Sequence, residues 1–143
     1  MSFFANAERN LPVPPEVAFD QLADHASWDT WMPRTFRPDG GSSGTLRVGD
    51  KLRVFIDGAP LAASIVVRIA RRPAEIMWTG GVKGLLWAEH HFHFEAHADG
   101  GTLVRSVERW TGALAPLVRR LVQPAAERIG NEQLTGLARA VSA

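Results

Sequence analysis

A histidine and a glutamate on two neighbouring segments are the residues best placed for acid–base chemistry. Residues 85–97 and 102–111 are typical of β-strands, in which alternate side chains face opposite sides. His90 falls on the apolar side of the first segment, and Glu108 falls on the matching side of the second. A three-residue turn between the segments predicts that His90 pairs with Trp110 and that Glu108 lies on the diagonal, within cross-strand reach. The other residues on this side are Ala88, Phe92, Phe94, Ala96, Val104 and Ser106.

A buried imidazole beside a carboxylate is compatible with three roles. The two groups can satisfy each other's polarity inside the fold, which is a structural role. They can hold the polar end of an otherwise apolar ligand. With pKa values moved by burial and by the partner's charge, they can also shuttle a proton from a carbon acid during ring closure or dehydration. His90 and Glu108 are therefore candidate catalytic and candidate ligand-binding residues, and the sequence leaves the three roles open.

The opposite side of the first segment carries a row of metal-binding residue types. Its members are Glu89, His91, His93, Glu95 and His97. Neighbours on one side of a strand lie about 6.5 to 7 Å apart, close enough for two imidazoles to share a zinc ion. No third ligand from another segment is evident, however, and this side is expected to face solvent. We therefore predict solvated side chains here and no metal or other cofactor.

The chain has five tryptophans and no tyrosine, so its aromatic contacts lack a phenol for acid–base work. Core packing is the ordinary role of a tryptophan. Trp28 and Trp31, with Met32, fall on one face of a short predicted helix. We expect the two tryptophans to line a pocket at the mouth where the sheet and the terminal helix diverge. Trp87 has the outward parity of its strand.

Composition excludes several classes of function. The 143 residues carry a formal net charge of +1 with acidic and basic side chains interspersed, which disfavours DNA or RNA binding. The absence of cysteine rules out disulfides, thiolate metal sites and a cysteine nucleophile. Neither an export leader nor a membrane span of about 20 apolar residues is visible. We expect a single cytoplasmic domain over residues 1–143, and a homodimer is left open.

The predicted order of elements is a strand, two short helices, six strands and one long helix. The first helix is predicted over residues 15–23, with Pro15 in its first turn. Asp24 is expected to cap the second helix, which Pro33 ends. The predicted strands are 2–9, 45–48, 51–57, 61–71, 74–79, 85–97 and 102–111. A loop over 38–44 and a tight turn at Asp99-Gly100-Gly101 separate strands.

From Leu114 onward, apolar residues recur every three to five positions, which is the stripe of a long amphipathic helix. The members of the stripe are Leu114, Val118, Leu121, Ala125, Ile129, Leu134, Leu137 and Val141. Pro124 lies inside this helix, where it removes a backbone donor, and a kink is expected there. A meander of this length curves and must bury one face, so the helix is its natural cover.

This order of elements resembles the START-like (SRPBCC) superfamily, especially its polyketide cyclase/dehydrase-like branch, and the resemblance spans nearly the whole chain. The residues that carry it are Pro15-Glu16-Val17-Ala18-Phe19-Asp20, Asp24, Trp28, Trp31-Met32-Pro33, Trp78 with Gly80, His90-His91-Phe92-His93-Phe94-Glu95, Gly101-Thr102, Glu108 with Trp110-Thr111-Gly112, and Asn131 with Leu134. The resemblance implies an α+β helix-grip fold. In that fold a seven-stranded curved antiparallel sheet wraps a long C-terminal helix, and a cavity for hydrophobic ligands lies between them. It implies little about activity, because the superfamily includes carriers, cyclases, dehydratases and chaperone partners.

Three functional hypotheses follow. The first is a binding protein that holds a hydrophobic or aromatic small molecule, including a lipid, in the cavity. The second is a polyketide cyclase/dehydratase-type enzyme in which His90 and Glu108 act as acid and base. The third is an interaction module whose partner meets the mouth of the cavity. The predicted ligand-binding residues are Trp28, Trp31, Trp78, His90, Phe92, Phe94, Ser106, Glu108 and Trp110.

Overall fold

A computed structural model describes residues 2–39 and 44–142, and most of the loop predicted over 38–44 lies outside them. The strands are β1 (Ser2–Leu11), β2 (Phe36–Pro38), β3 (Lys51–Ile56), β4 (Ala63–Arg71), β5 (Glu75–Val82), β6 (Leu86–Ala96) and β7 (Thr102–Thr111). The helices are α1 (Pro15–Ala23), α2 (Trp28–Trp31) and α3 (Ala115–Val141). A single 3-10 turn, His25–Ser27, leads into α2.

All seven strands join in one antiparallel sheet, in the order β1-β7-β6-β5-β4-β3-β2. The long helix α3 lies along β1 and β7, and α1 packs on β5 and β6. Apolar side chains from the concave face, from α1 and from the second half of α3 form one core. The architecture is the predicted helix-grip fold. Within the described residues, none of the helices has the length and apolar character needed to cross a bilayer.

The β6–β7 hairpin forms as predicted, but its register differs from the predicted one. His90 lies directly opposite Glu108, and Ala88 lies opposite Trp110. The turn is centred on Asp99 rather than on Gly100: the N–H of His97 donates to the carbonyl of Gly101, and Gly100 takes the left-handed conformation with φ +90°. Moving the centre of a turn by one residue moves the register by two. The facing of every side chain is therefore preserved, since strands alternate with a period of two.

The strand predicted over residues 45–48 is wrong, and a different short strand takes its place in the sheet. Thr45 makes one isolated bridge with Asp24, and the Leu46 N–H donates to the carbonyl of Ala23. Leu46 is buried, so its apolar character anchors a loop to the end of α1 rather than marking a strand. The seventh strand is β2, which pairs with β3.

Helix α1 has the predicted bounds, with Pro15 at its first position. The predicted cap at Asp24 is wrong, because its side chain makes no capping hydrogen bond. Instead the Ser27 hydroxyl donates to the Asp24 carbonyl at 2.7 Å and tightens the turn before α2. Trp28 and Met32 are buried and Trp31 is half-buried, so α2 turns one face inward.

Helix α3 continues through Pro124 from Ala115 to Val141, and its apolar stripe is correct only in the second half. Ile129, Leu134 and Leu137 are buried, whereas Leu121 is 76% exposed. The buried face of the second half of α3 continues toward the N-terminus through Ala126. Leu121 stands five residues before Ala126, and five residues of α-helix turn a side chain by about 140° relative to that face. Leu121 therefore points away from the core.

Candidate functional site

Three polar side chains in close contact form a row inside the concave face of the β6–β7 hairpin. The Nδ1 atom of His90 lies 3.1 Å from Oε2 of Glu108, and its Nε2 atom lies 2.7 Å from Oγ of Ser106. Ser106 and Glu108 are two residues apart on β7, and His90 lies on β6 opposite Glu108. His90 and Ser106 are buried, and Glu108 is nearly so. The predicted association of His90 with Glu108 is present in the structure, and Ser106 joins it.

Burial dominates the electrostatics of this row. Removal from water lowers the pKa of His90 to about 3, and the charge of nearby His91 acts in the same direction. The same loss of solvent raises the pKa of Glu108 to about 7. The Trp110 indole N–H favours the carboxylate and opposes this rise, although it completes no hydrogen bond within the described residues. At neutral pH the imidazole is uncharged and the carboxyl is close to its midpoint.

Two proton arrangements satisfy the row. When Glu108 is ionised, it accepts a hydrogen bond from Nδ1–H of His90, and Nε2 accepts one from the Ser106 hydroxyl. When Glu108 is protonated, its O–H donates to Nδ1, and Nε2–H donates to Ser106 Oγ. In this scheme, protonation of Glu108 would switch the tautomer of His90 and the direction of the Ser106 hydroxyl.

The order serine, histidine, carboxylate matches that of a nucleophilic triad, but the surroundings do not support acyl transfer. An imidazole with a pKa near 3 is a weak general base for a serine hydroxyl. Strand β7 lies between β1 and β6, so its backbone N–H groups are engaged in the sheet and none is left to form an oxyanion hole beside Ser106. The row is better suited to holding a polar group or transferring a proton.

A cluster of aromatic rings extends from His90 toward α2. The His90 ring stacks on Phe92 at 4.2 Å between centroids and meets Trp78 edge-on at 5.3 Å. Trp78 in turn contacts Trp28 at 5.5 Å and Phe36 at 6.0 Å. Because these rings touch one another, a ligand would have to lie against the cluster rather than between its members. Phe36 was missed from the sequence because it stands in the unpredicted strand β2.

The remaining predicted site residues are spread over three places. Trp28 lies deeper than the expected position at the mouth: it is buried, and its indole N–H donates to the Leu22 carbonyl at 2.8 Å. Trp31 is half-buried, with its N–H on Ser27. Phe94 packs edge-on against Phe19 of α1. Trp110 stacks on Phe3 of the edge strand β1.

Two buried side chains near this region have polar atoms without a hydrogen-bond partner in the described residues. They are the indole nitrogen of Trp110 and both amide atoms of Gln133. Gln133 lies one turn beyond Gly130, and a methyl group at Gly130 would stand 3.5 Å from Ser106 Oγ. The face of α3 that carries Gln133 is therefore the face that covers β7. The sequence held one signal for Gln133, since it stands four residues from both Ile129 and Leu137 on the buried face.

Residues 5–142 match the family model described as polyketide cyclase / dehydrase and lipid transport. The chain belongs to this family. No curated protein matches its sequence.

Solved structures of low sequence identity share the fold of this polyketide cyclase-like chain. The Zhui aromatase/cyclase from Streptomyces sp. R1128 is similar with a TM-score of 0.74 at 13% identity, over 99% of this chain and 94% of that one. Norcoclaurine synthase from Thalictrum flavum, in complex with dopamine and hydroxybenzaldehyde, gives 0.72 at 9% identity over 99% and 87%. A hypothetical protein from Helicobacter pylori gives 0.76 at 16% identity over 97% and 88%. At these identities the likeness concerns the fold.

A surface depression of about 820 Å³ lies at the turn end of the hairpin in this family member, lined by residues 10–12 and 97–101. It contains none of the predicted ligand-binding residues. The Nε2 atom of His97 lies 2.6 Å from Oδ1 of Asn10 there, so its imidazole is already partnered. We therefore place the candidate site at the polar row and not at this depression.

The outer face of the sheet departs from the prediction of freely solvated side chains. Glu75 of β5 is buried and lies against His91 and His93 of β6. It supplies the third potential metal ligand that the sequence did not reveal, because its strand and register had to be known first.

Proposed function

We propose that this protein binds a hydrophobic or aromatic small molecule between the concave sheet and α3, with the polar end of the molecule at His90 and Glu108. The observation that carries the proposal is a buried row of polar side chains, His90, Ser106 and Glu108, on the concave face of the sheet that α3 covers. A row of this kind inside an apolar core is what a ligand site needs, namely a few placed polar groups in an otherwise apolar wall.

The unpartnered groups support an occupant that carries oxygen atoms. A buried polar group without a hydrogen bond costs about 1–3 kcal/mol, and among the described residues the amide of Gln133 is in that state. The indole N–H of Trp110 completes no hydrogen bond there either, although it favours the ionised form of Glu108. A carbonyl or hydroxyl oxygen of a ligand would accept from the indole N–H or from the amide NH₂. The same oxygen would remove that cost, so the bound state would be favoured over the empty one.

The charge state of the site selects a neutral ligand head. His90 is uncharged at neutral pH, and Glu108 is either neutral or negative. A ligand carboxylate would meet no cation here and would be opposed by the ionised form of Glu108. Ketones, phenols and enols meet no such repulsion, and their flat rings suit a wall formed by Trp78 and Phe92.

The alternative function is a cyclase or dehydratase, and one observation favours it specifically. Burial raises the pKa of Glu108 to about 7 and its Oε2 lies 3.1 Å from Nδ1 of His90, so a proton can be taken up or released at working pH. Such a group can remove a proton from carbon next to a ligand carbonyl and return it during loss of water. The description of the family covers both cyclisation and lipid transport.

Native mass spectrometry of the protein purified from its source cells tests the binding proposal, since a retained compound appears as a discrete added mass. The compound so identified is then titrated into the wild type, Glu108→Gln and the control Leu121→Ser, which lies on the exposed side of α3. We expect the control to bind like the wild type. Failure to retain any compound, together with no tryptophan fluorescence change on titration with a panel of naphthols and flavonoids, would overturn the proposal.

The Glu108→Gln protein separates the two functions. A carrier keeps most of its affinity, within about tenfold, because Gln preserves the shape and can still hydrogen-bond. An enzyme loses turnover of the bound compound by roughly 100-fold or more while its binding changes little, since general acid–base catalysis contributes about that factor.

A further inference from the structure

Two histidines and a buried glutamate converge on the convex face of the sheet, opposite the candidate ligand site. Glu75 on β5 pairs directly with His93 on β6, and Met77 pairs with His91, so the three side chains lie on two neighbouring strands. The imidazole rings of His91 and His93 stack with an interplanar angle of 5° and their centroids 5.5 Å apart. The sheet therefore presents two parallel imidazoles above one carboxylate.

The distances between donor atoms suit a small metal ion. Oε2 of Glu75 lies 2.7 Å from Nδ1 of His91 and 3.8 Å from Nε2 of His93, and one potential ligand atom from each residue lies within 4.8 Å of the other two. Ligands of a tetrahedral ion with bonds of 2.0–2.2 Å stand about 3.3–3.6 Å apart. The ion would replace the proton shared by Nδ1 of His91 and Oε2, and one of the two stacked rings would have to turn about its side-chain bonds, because a nitrogen lone pair lies in the plane of its ring.

The carboxylate is held in place independently of the histidines. Its other oxygen, Oε1, accepts a hydrogen bond from Arg71 at 2.6 Å, which leaves Oε2 directed at the two imidazoles. The Glu75 side chain is only 7% exposed. Oriented, hydrogen-bonded carboxylates of this kind are characteristic of metal sites.

We propose that Glu75, His91 and His93 form a zinc-class metal site, with Oε2, Nδ1 and Nε2 as the protein ligands and the remaining coordination position open to solvent. Two imidazole nitrogens and one carboxylate oxygen suit Zn²⁺ or Co²⁺ rather than Mg²⁺ or Ca²⁺, which take oxygen ligands. The site does not depend on the proposed ligand-binding function, because it lies on the other face of the sheet. Its bound ion would tie β5 to β6.

The positive charges around the site are limited in their effect on a bound cation. Arg71 is committed to Glu75, and Arg105, which pairs with His93 across the ladder, is committed to Glu95 at 2.7 Å. The half-exposed edges of both imidazoles leave an approach from solvent.

Titration of tag-free protein with Zn²⁺ in a calorimeter, and with Co²⁺ followed by its visible absorption, tests the proposal. The wild type is expected to bind one ion per chain and to show the intense visible bands of low-coordinate Co²⁺. His93→Asn and His91→Asn, made separately, are each expected to weaken binding by at least about 100-fold, since loss of a group that only hydrogen-bonds to a metal ligand already costs about 10–100-fold. The matched control is His97→Ala, which removes a histidine just beyond the end of β6 and should bind like the wild type.

Two results would overturn the metal site: no saturable binding by the wild type, or equal binding by the wild type and both variants. Loss of binding in His97→Ala would do the same, because it would mark diffuse surface histidines as the ligands. Circular dichroism of the apo variants shows whether they are folded. A thermal melt gives a second readout: at a free Zn²⁺ concentration of 100 times Kd, Tm should rise by roughly 5–10 °C in the wild type and not in His93→Asn.

Discussion

Replacing Glu108 by Gln should change how the stability of the protein depends on pH. An exposed glutamate carboxyl has a pKa of 4.5, whereas burial raises the pKa of Glu108 to about 7 in the folded protein. Below pH 4 both the folded and the unfolded chain hold the proton. As pH rises, the unfolded chain loses the proton first, so the free energy of unfolding falls until the folded state also ionises near pH 7.

The size of the effect follows from the two pKa values. Between pH 5 and pH 8, Glu108 should lower the free energy of unfolding by roughly 2–3 kcal/mol. His90 acts in the opposite direction, because its folded pKa of about 3 lies below the ordinary 6.5. The contribution of His90 therefore raises the free energy of unfolding as pH rises, by about 2 kcal/mol between pH 5 and pH 8. The contributions of the pair nearly cancel in the wild type, and Glu108→Gln leaves that of His90 unopposed.

Urea unfolding of the wild type and Glu108→Gln at pH 5, 6, 7 and 8 measures this difference. The stability of the variant relative to the wild type should rise by roughly 2–3 kcal/mol from pH 5 to pH 8. Titrating groups that do not contact Glu108 are common to both proteins and drop out of the comparison. Parallel stability curves for the two proteins would refute the reasoning, since they would mean that Glu108 is ionised at little cost and that the row is not buried.

Further predictions concern the face of α3 that covers the site. Gln133→Leu should leave the free energy of unfolding unchanged or raise it by up to about 3 kcal/mol, because an apolar group replaces an amide that has no partner in the described residues. If urea unfolding instead shows a loss of stability above about 1 kcal/mol, the amide is hydrogen-bonded to water. Gly136→Ala should lower stability by about 1–3 kcal/mol, since the added methyl group would clash with the backbone carbonyl of Trp31. Its matched control, Gly130→Ala, meets only ordinary contacts and should raise stability by roughly 0.5–1 kcal/mol through helix propensity. Equal Tm changes in the two alanine variants would contradict the packing described.

The sequence was sufficient for the features that depend on periodicity. Alternation placed His90, Phe92 and Glu108 on one face, and this placement survived a register error because the error was an even number of residues. The proline at the start of α1 and the apolar stripe of α3 also predicted their helices correctly. All of these signals are local, so they can be recognised without knowing which segments pack together.

Features that depend on which segments meet in space were missed. Glu75 was assigned to a strand, but only the pairing of β5 with β6 brings it to His91 and His93. Leu46 is an apolar residue that suits a strand, but in the structure it anchors a loop to the end of α1 through its N–H bond to the Ala23 carbonyl. Gln133 has an ordinary helical position, and its unpartnered amide becomes evident only when the helix is set against the sheet. Such features belong to tertiary contacts, which override local preference.

The pairing of the first strand with the last also sets an order of folding. Leu11 and Thr102 are ladder partners that enclose about 90 residues of chain, whereas Ala96 and Thr102 enclose five. Loop-closure entropy grows by about 0.6 kcal/mol for each doubling of length, so bringing β1 to β7 costs about 2.5 kcal/mol more than closing the hairpin. The hairpin should therefore form early and β1 should dock late. During synthesis β7 waits with one unpaired edge, and that edge is where strand exchange between nascent chains would begin.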